Sequence, residues 1–272
     1  MSIESISSRK NTYIANVRAL ASDGAYRREQ GQFLCDGIKT LREAVAFGAE
    51  IVSVLWKEQP TEVEGLAGAK EYAAPAELFD YASPLKNSPG PLFAVRMRRI
   101  GAARLKNAIV LEGVQDPGNV GTVIRTANAF GVDAVILTGV CADLYNPKTV
   151  RATMGAIFRQ RVLELPLAEL RAALDENGLP LYGAALSETA RDFREIPLDK
   201  AAVAVGSEGN GLSTELLAIC DGQLIIPMRP DSASGAACKK TVGGGAWNVG
   251  NKILALAFRG CRQPEGQGGS DR

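Results

Sequence analysis

The feature that most constrains this chain is a regular alternation of apolar and helix-like stretches that begins at residue 108. The apolar stretches have the length of strands, and the stretches between them have the periodicity of helices. Apolar strands separated by helices are typical of a parallel sheet that is buried on both faces. The predicted strands are 108–111, 134–137, 157–163, 180–185, 201–205 and 223–226, and the predicted helices are 120–130, 147–155, 167–176 and 213–220. We therefore expect an α/β domain with a parallel sheet over residues 107–260.

A smaller α/β unit is predicted ahead of it, over residues 1–100. Roughly its first 30 residues are basic and have a helical pattern, and the other elements follow them. These elements are strands at 33–37, 51–56 and 92–97, a helix at 38–47 that ends at Gly48, and a weak helix at 76–81. The basic, nonperiodic residues 98–106 form the predicted boundary. The polar, glycine-rich residues 261–272 are predicted to be a disordered tail.

The residue types present exclude several classes of protein. The chain has no histidine, which removes the commonest general base and every Ser-His-Asp or Cys-His scheme. Its five cysteines are scattered and form no Cys-x-x-Cys pair, so we expect neither a disulfide scaffold nor a metal site. No run of 18 apolar residues is present, and no apolar segment follows the charges of the first ten residues. We therefore expect a cytoplasmic protein without a membrane partner.

Positive charge is unevenly distributed, although the net charge is only +1. No acidic residue lies between Asp80 and Glu112 or between Asp143 and Glu164. These two windows contain Lys86, Arg96, Arg98, Arg99, Arg104, Lys106, Lys148, Arg151, Arg159 and Arg161. Such clusters suit the phosphate backbone of a nucleic acid, whereas an ordinary solvated surface is the alternative interpretation.

The first motif follows the predicted strand 108–111. A turn-rich Asp-Pro-Gly-Asn sequence ends at Asn119 and opens a helix that carries Arg125. Open α/β sheets place their chemistry at the carboxyl ends of strands, so Asn119 and Arg125 are expected close together at this edge. The alternative is an ordinary strand, loop and helix in which Asn119 is the N-cap and Arg125 is solvated.

Two further stretches end predicted strands at the same edge. Residues 206–213, Gly-Ser-Glu-Gly-Asn-Gly-Leu-Ser, either let a ligand approach the backbone or form a tight turn, and Ser213 is placed to cap the next helix. The sequence Ile226-Pro227-Met228 terminates the last strand. None of this matches a dinucleotide fingerprint or a Walker A loop.

Taken in order, these motifs resemble those of the SpoU (TrmH-like) RNA 2′-O-ribose methyltransferases of the SPOUT superfamily. The quoted segments are Asn119–Arg125, Gly206–Gly211 and Ile226–Met228, with Arg151-Ala-Thr-Met-Gly155-Ala matching the family's Arg-Ala-Ser-x-Gly-Ala. Residues 33–56 are similar to the family's N-terminal substrate-binding domain, which resembles ribosomal protein L30e. The resemblance covers residues 5–228.

This resemblance implies a fold, a cofactor and a set of residues. The fold would be a parallel-sheet SPOUT domain with a trefoil knot, which dimerises with a second copy, plus a smaller L30e-like α/β domain. S-adenosylmethionine would bind through Thr138, Gly139, Gly206, Ile226 and Met228. Asn119 and Glu208 would hold the knot loops and the active site, and Arg125 would act on the ribose 2′-hydroxyl.

The resemblance also implies how Arg125 acts. Because arginine is a poor base, we expect this side chain to orient the hydroxyl and stabilise its negative charge; a role as proton acceptor stays open. A separate N-terminal domain favours large-subunit ribosomal RNA as the substrate, with transfer RNA as the alternative.

The third motif departs from the family pattern. The expected Ser-Leu-Asn-Val does not follow Met228, and the nearest match is Trp247-Asn248-Val249, about a dozen residues late in the printed sequence. Either a loop is inserted and Asn248 is the motif asparagine, or the motif is damaged by a frame error or decay. The two resulting hypotheses are an active methyltransferase and a noncatalytic RNA-binding relative that has lost its cofactor.

Overall fold

The computed structural model describes residues 3–98, 104–185, 187–207 and 209–225. The chain divides into two compact units, each built from separate stretches of sequence. The first unit comprises Met1–Gly101, Gln115–Arg125 and Cys141–Gln160, and the second comprises Ala102–Val114, Thr126–Val140 and the residues from Arg161 onward. The predicted boundaries at 1–100 and 107–260 stay a prediction.

The first unit is built on a mixed five-stranded sheet. Its elements before residue 100 are β1 Glu4–Ser5, α1 Thr12–Ser22, α2 Gly24–Gln30, β2 Gln32–Asp36, α3 Ile38–Ala46, β3 Ile51–Lys57, β4 Lys70–Ala74, α4 Ala76–Ala82 and β5 Leu92–Arg96. The strand order is β1-β4-β3-β5-β2, with β5 antiparallel to both β2 and β3. The predicted helical lead-in is two helices, because Asn11 and Asp23 each accept backbone N–H bonds and start a new helix.

Both faces of this sheet are buried. Successive side chains of β2 alternate between two apolar clusters: Leu34 packs with residues of α1 and α4, whereas Phe33 packs with residues of α3. The α3 cluster also contains Val150 and Phe158 from the inserted stretch Cys141–Gln160. That stretch holds α6 Pro147–Ala152 and a 3₁₀ turn at Ala156–Phe158, and it covers one face of the sheet.

The second unit has the parallel sheet that the sequence predicts. Its strands are β6 Ala108–Glu112, β7 Ala134–Thr138, β8 Arg161–Glu164, β9 Leu181–Ala184, β10 Arg191–Asp192, β11 Ala202–Val205 and β12 Gly222–Ile225. The order in the described part of the chain is β10-β12-β9-β11-β6-β7-β8, and every pairing is parallel. Helices α7 Leu167–Asp175 and α8 Thr214–Ala218 belong to this unit. Helix α5 Pro117–Ala129 is divided, since its residues up to Arg125 belong to the first unit.

Some predicted bounds shift. Strand β8 begins four residues later than the predicted 157, because Ala156–Phe158 forms the 3₁₀ turn. Strand β4 is absent from the prediction, since its sequence Lys-Glu-Tyr-Ala-Ala begins with two charged residues and shows neither an alternating nor a continuous apolar pattern. Within the described residues, no helix is both long and apolar enough for a bilayer.

Candidate functional site

The central strands of the parallel sheet end together at one edge of the second unit. Thr138 pairs in register with Glu112, and Val205 pairs with Leu111, so Thr138 and Gly206 flank Glu112 on the two neighbouring strands. Thr138 is buried, whereas Gly139 is exposed and has a φ of +65°. The backbone N–H of Gly113 donates to the carbonyl of Thr138 at 3.1 Å. Three predicted cofactor residues, Thr138, Gly139 and Gly206, are therefore brought to one edge.

The loop after β11 folds back over Gly206. A Cβ built on Gly206 would overlap the backbone carbonyl of Gly211 and the amide of Leu212. The N–H of Gly211 donates to the carbonyl of Ser207 at 3.0 Å, which closes the turn. Glycine is thus required at 206 because the chain's own backbone lies against it, which agrees with the alternative that this stretch forms a tight turn.

Glu112 holds the far end of this loop. Its carboxylate accepts from the Ser213 N–H at 2.7 Å and from the Ser213 hydroxyl at 2.6 Å. Ser213 also caps α8, as predicted, by accepting from the N–H of Leu216 at 3.0 Å. Glu112 is not among the residues predicted from the sequence, although a carboxylate that ends an otherwise apolar strand is a recognisable signal.

Helix α5 begins earlier than predicted, at Pro117. Oδ1 of Asp116 accepts from the N–H of Asn119 at 2.8 Å, so Asp116 caps the helix and proline occupies its first position. The alternative in which Asn119 is the N-cap is wrong, since Asn119 lies in the first turn. Arg125 lies about 9 Å further along the helix axis and on a different face of an ideal helix. That the two side chains act together at this edge of the sheet stays a prediction.

Arg125 is exposed and contacts the Arg-Ala-Thr-Met-Gly segment, which belongs to the first unit as Arg125 does. Its Nη1 donates to Sδ of Met154 at 3.0 Å. One turn earlier, a Cβ on Gly121 would lie 2.5 Å from Cβ of Ala152, so α5 and α6 pack closely there. In the described part of the chain no carboxylate forms an ion pair with Arg125. The thioether is a weak acceptor, so the guanidinium can still donate to an anion.

The segment around Met154 has an unusual backbone. Met154 has a φ of +47° and is 67% exposed, and Gly155 follows with a φ of +85°. A side chain at 155 would overlap the carboxylate of Glu43. Thr153, where the family has serine, is fully buried and donates to the carbonyl of Val150 at 2.6 Å. A left-handed conformation in a non-glycine residue beside Arg125 is the kind of strain found at functional sites.

Several of the predicted basic residues have structural partners. Arg98 donates to the carbonyls of Phe158 and Phe47 at 3.1 and 2.9 Å. Nη1 of Arg159 lies 3.4 Å from Oε2 of Glu43, and Nε of Arg96 lies 3.3 Å from Oε1 of Glu50. The basic windows therefore contribute to the packing of the first unit as well as to its surface charge.

The remaining predicted residues, Glu208, Ile226, Met228 and Asn248, lie outside the described residues, as does the tail at 261–272. Among the described residues, no group of three or more histidine, cysteine, aspartate or glutamate side chains is arranged to hold a metal ion.

Comparison with known proteins gives a consistent result. A model of the SpoU rRNA Methylase family matches residues 106–234. The 23S rRNA (guanosine(2553)-2'-O)-methyltransferase RlmP of Bacillus subtilis (strain 168) is 31% identical over 231 residues, which is 83% of this chain and 91% of that protein. The 23S rRNA (uridine(2479)-2'-O)-methyltransferase of Streptomyces viridochromogenes is 24% identical over 276 residues, 93% of this chain and 91% of that protein.

A solved structure agrees with the fold. The crystal structure of the AdoMet-bound rRNA methyltransferase from Sinorhizobium meliloti superimposes with a TM-score of 0.82 at 24% identity, covering 96% of this chain and 99% of that one. The order of motifs, the parallel sheet and these matches agree with one another. The chain belongs to the SpoU rRNA methylase family of the SPOUT superfamily.

Proposed function

We propose that this protein is an S-adenosylmethionine-dependent methyltransferase that methylates a ribose 2′-hydroxyl of large-subunit ribosomal RNA. The observation that carries the proposal is the 31% identity to the Bacillus subtilis RlmP over 91% of that protein's length. The Streptomyces relative is named for a uridine and the Bacillus relative for a guanosine. The two relatives thus share the class of RNA and the reacting hydroxyl and differ in the base.

The edge formed by β6, β7 and β11 fits an adenosyl cofactor. Gly113 and Gly139 both have positive φ values, of +63° and +65°, and present backbone groups there without side chains. We assign cofactor binding to Thr138, Gly139 and Gly206, together with Ile226 and Met228 beyond the described strands. When bound, S-adenosylmethionine supplies an electrophilic methyl group.

The residues of this chain orient the ribose and stabilise its 2′-hydroxyl oxygen as the hydroxyl loses its proton. We assign Arg125 the role of holding this oxygen and stabilising the negative charge that it gains. The lack of an ion-pair partner within the described residues supports this role, since a neutralised guanidinium would stabilise an alkoxide less. Alignment of the hydroxyl with the methyl group supplies much of the remaining rate.

The other assignments from the resemblance belong to the same proposal. Asn119, Glu208 and Asn248 support the active site, and the catalytic domain contains the trefoil knot that the resemblance implies. The enzyme works as a homodimer in the cytoplasm. Light scattering coupled to gel filtration tests the dimer, since a monomeric mass at micromolar concentration would contradict it.

Methylation of ribosomal RNA by the purified protein tests the reaction. With S-adenosylmethionine labelled in its methyl group, we expect label on a ribose, detected as a dinucleotide that resists alkaline hydrolysis. Arg125→Ala should lower the rate at least about 100-fold, the effect of removing one charge-stabilising donor. Arg42→Ala, an exposed arginine of α3, serves as the matched control and should retain the full rate.

A second candidate is a noncatalytic RNA-binding relative, and one observation favours it. The family model matches only as far as residue 234, inside the segment that departs from the third motif. RNA binding without measurable affinity for S-adenosylmethionine would select this candidate. Resequencing of the codons for residues 229–249 shows whether a frame error created the departure.

A further inference from the structure

A cleft of about 600 Å³ opens in the first unit, at the end of the five-stranded sheet where β3 and β4 begin and β5 ends. Its size lies within the usual range for sites that bind small molecules or single groups. None of its lining residues has a role in the methyl transfer proposed above, and residues 49–53 of the lining lie in the stretch 33–56 that resembles the family's substrate-binding domain. The proposed methyl transfer therefore does not account for this cleft.

One wall of the cleft is aromatic. The rings of Tyr13 from α1 and Tyr72 from β4 stack with centroids 3.8 Å apart and planes inclined by 23°. The hydroxyl of Tyr13 donates to Oγ of Ser53 at 3.2 Å, and burial raises the pKa of Tyr13, which keeps this hydroxyl neutral. A rigid aromatic pair of this kind offers a flat surface against which a base can stack.

Amide side chains provide the polar part of the lining. Asn16, Gln30 and Gln32 all line the cleft, and each carries both donors and an acceptor. Oδ1 of Asn16 accepts from the hydroxyl of Tyr26 at 2.8 Å, which fixes this amide so that its N–H₂ group is the end left for other partners. Amides recognise the edges of unpaired bases through paired donors and acceptors.

Positive charge lies at the rim. Lys70, the exposed first residue of β4, forms no ion pair with any carboxylate in the described ranges. Arg96 shares its charge with Glu50, whose Oε1 is 3.3 Å from Arg96 Nε, and Glu50 is the single acidic residue of the lining. Lys70 is therefore the cation placed to meet a phosphate.

We propose that this cleft binds one unpaired nucleotide of the RNA substrate, away from the methylated ribose. The base lies against Tyr72 and is read by the amides, and its phosphate meets Lys70. The inference rests on the proposed function in one respect, namely that the macromolecule bound is RNA. A free nucleotide shares the same chemistry, and the experiment separates the two sources.

The experiment uses the full-length protein and a transcribed 23S rRNA fragment substituted with 4-thiouridine. Photocrosslinking followed by mass spectrometry should place a crosslink on the peptides that contain Tyr13 or Tyr72. Lys70→Glu should raise the dissociation constant for the RNA about tenfold and reduce the salt dependence of binding by about one phosphate contact. Lys200→Glu is the charge-matched control, since Lys200 is exposed and lies in the second unit, just before β11 begins.

Three results would overturn the inference. The first is an unchanged RNA affinity in Lys70→Glu. The second is a set of crosslinks confined to residues outside 13–96. The third is binding of free nucleoside monophosphates that depends on Lys70 while RNA binding does not, which would make the cleft a site for free nucleotides.

The cleft and the proposed reaction fail separately. Normal methylation by wild type and Lys70→Glu, with equal RNA affinity, would refute the cleft and leave the reaction intact. RNA binding that depends on Lys70, in a protein that transfers no methyl group, would support the cleft and refute the reaction.

Discussion

Nη2 of Arg27 lies 2.6 Å from Oδ2 of Asp143, and these residues are 116 positions apart in the sequence. Arg27 is only 3% exposed and also donates from Nη1 to the carbonyl of Leu20 at 2.7 Å. The backbone carbonyl of Asp143 accepts from Thr149 Oγ1 at 2.9 Å. The ion pair therefore anchors the loop that leads into α6, and through α6 it fixes the position of Met154 beside Arg125.

Replacing Arg27 by methionine should lower the free energy of unfolding by about 3 kcal/mol, because it leaves the Asp143 carboxylate without its buried partner. Denaturant unfolding measures this change. Arg96→Met is the control, since Arg96 and Glu50 form an exposed pair worth at most about 1 kcal/mol. Equal losses of unfolding free energy in the two variants would show that burial does not strengthen the contribution of the Arg27–Asp143 pair to stability.

Gly206→Ala should lower the free energy of unfolding by about 2–3 kcal/mol, since the added methyl group displaces the backbone at 211–212. We expect S-adenosylmethionine binding to weaken with it, as measured by calorimetry. Gly209→Ala is the matched control for stability, because a Cβ there meets no atom within 4 Å. A Gly206→Ala protein as stable as Gly209→Ala would contradict the observed packing of the loop.

Loss of the contact between Glu112 and Ser213 should release the loop at 206–213. Two hydrogen bonds to a charged acceptor are worth about 1.5–3 kcal/mol each, so Glu112→Ala and Ser213→Ala should each destabilise the protein, and the double variant should lose less than the sum. Hydrogen exchange of the loop amides should rise in both single variants. Strictly additive losses would mean that the two residues do not interact.

Met154→Gly should change stability and activity in opposite directions. Glycine relieves the left-handed backbone by about 1 kcal/mol, whereas loss of the thioether leaves Arg125 without its contact. We expect a higher melting temperature together with slower methyl transfer. Met154→Leu separates the two effects, since it keeps the strain and removes only the sulfur; its melting temperature should match wild type. Faster transfer in either variant would argue against a positioning role.

Asp36 gives a pH dependence. Burial raises the pKa of its carboxyl, against the opposing effects of the Ser88 hydroxyl and the charge of Arg151. The protonated form thus favours the fold, so its stabilising contribution is present below the unfolded pKa near 3.8 and is lost as the pH rises through the higher folded pKa. Asp36→Asn should be more stable than wild type at pH 7 and equal to it near pH 3.

Thermal unfolding across this pH range measures the difference. Asparagine still accepts the hydrogen bond that Ser88 Oγ makes to Asp36 Oδ1 at 2.7 Å, so the comparison isolates the charge. Asp199→Asn, which alters an exposed carboxylate, is the control. A difference in stability between wild type and Asp36→Asn that widens toward acidic pH would contradict a raised pKa of Asp36.

The strands of the parallel sheet could be predicted because each buried strand is a run of consecutive apolar residues. Strands β6, β7, β9 and β11 begin and end within a residue of the predicted positions. Strand β4 could not be predicted, because Lys70 and Glu71 interrupt any apolar pattern and its place in the sheet depends on pairing with β3. Pairing between distant strands leaves no local signal.

The site shows the same division. Asn119 and Arg125 are recognisable from spacing and order, but the choice of Asp116 as the cap depends on Pro117 occupying the first helical position. The role of Gly206 is invisible in the sequence, since it depends on where Gly211 returns. The partner of Arg27 is equally invisible, because nothing near Arg27 in the sequence indicates Asp143.

The interleaved composition of the first unit has a consequence for protein engineering. Val150 and Phe158 pack in the same apolar cluster as Phe33 and Phe93, although they are encoded more than fifty residues further on. No single cut in the chain yields this unit whole. A chimera that exchanges the N-terminal region for that of a relative must therefore carry the stretch 141–160 with it, or two halves of one apolar core will come from different parents.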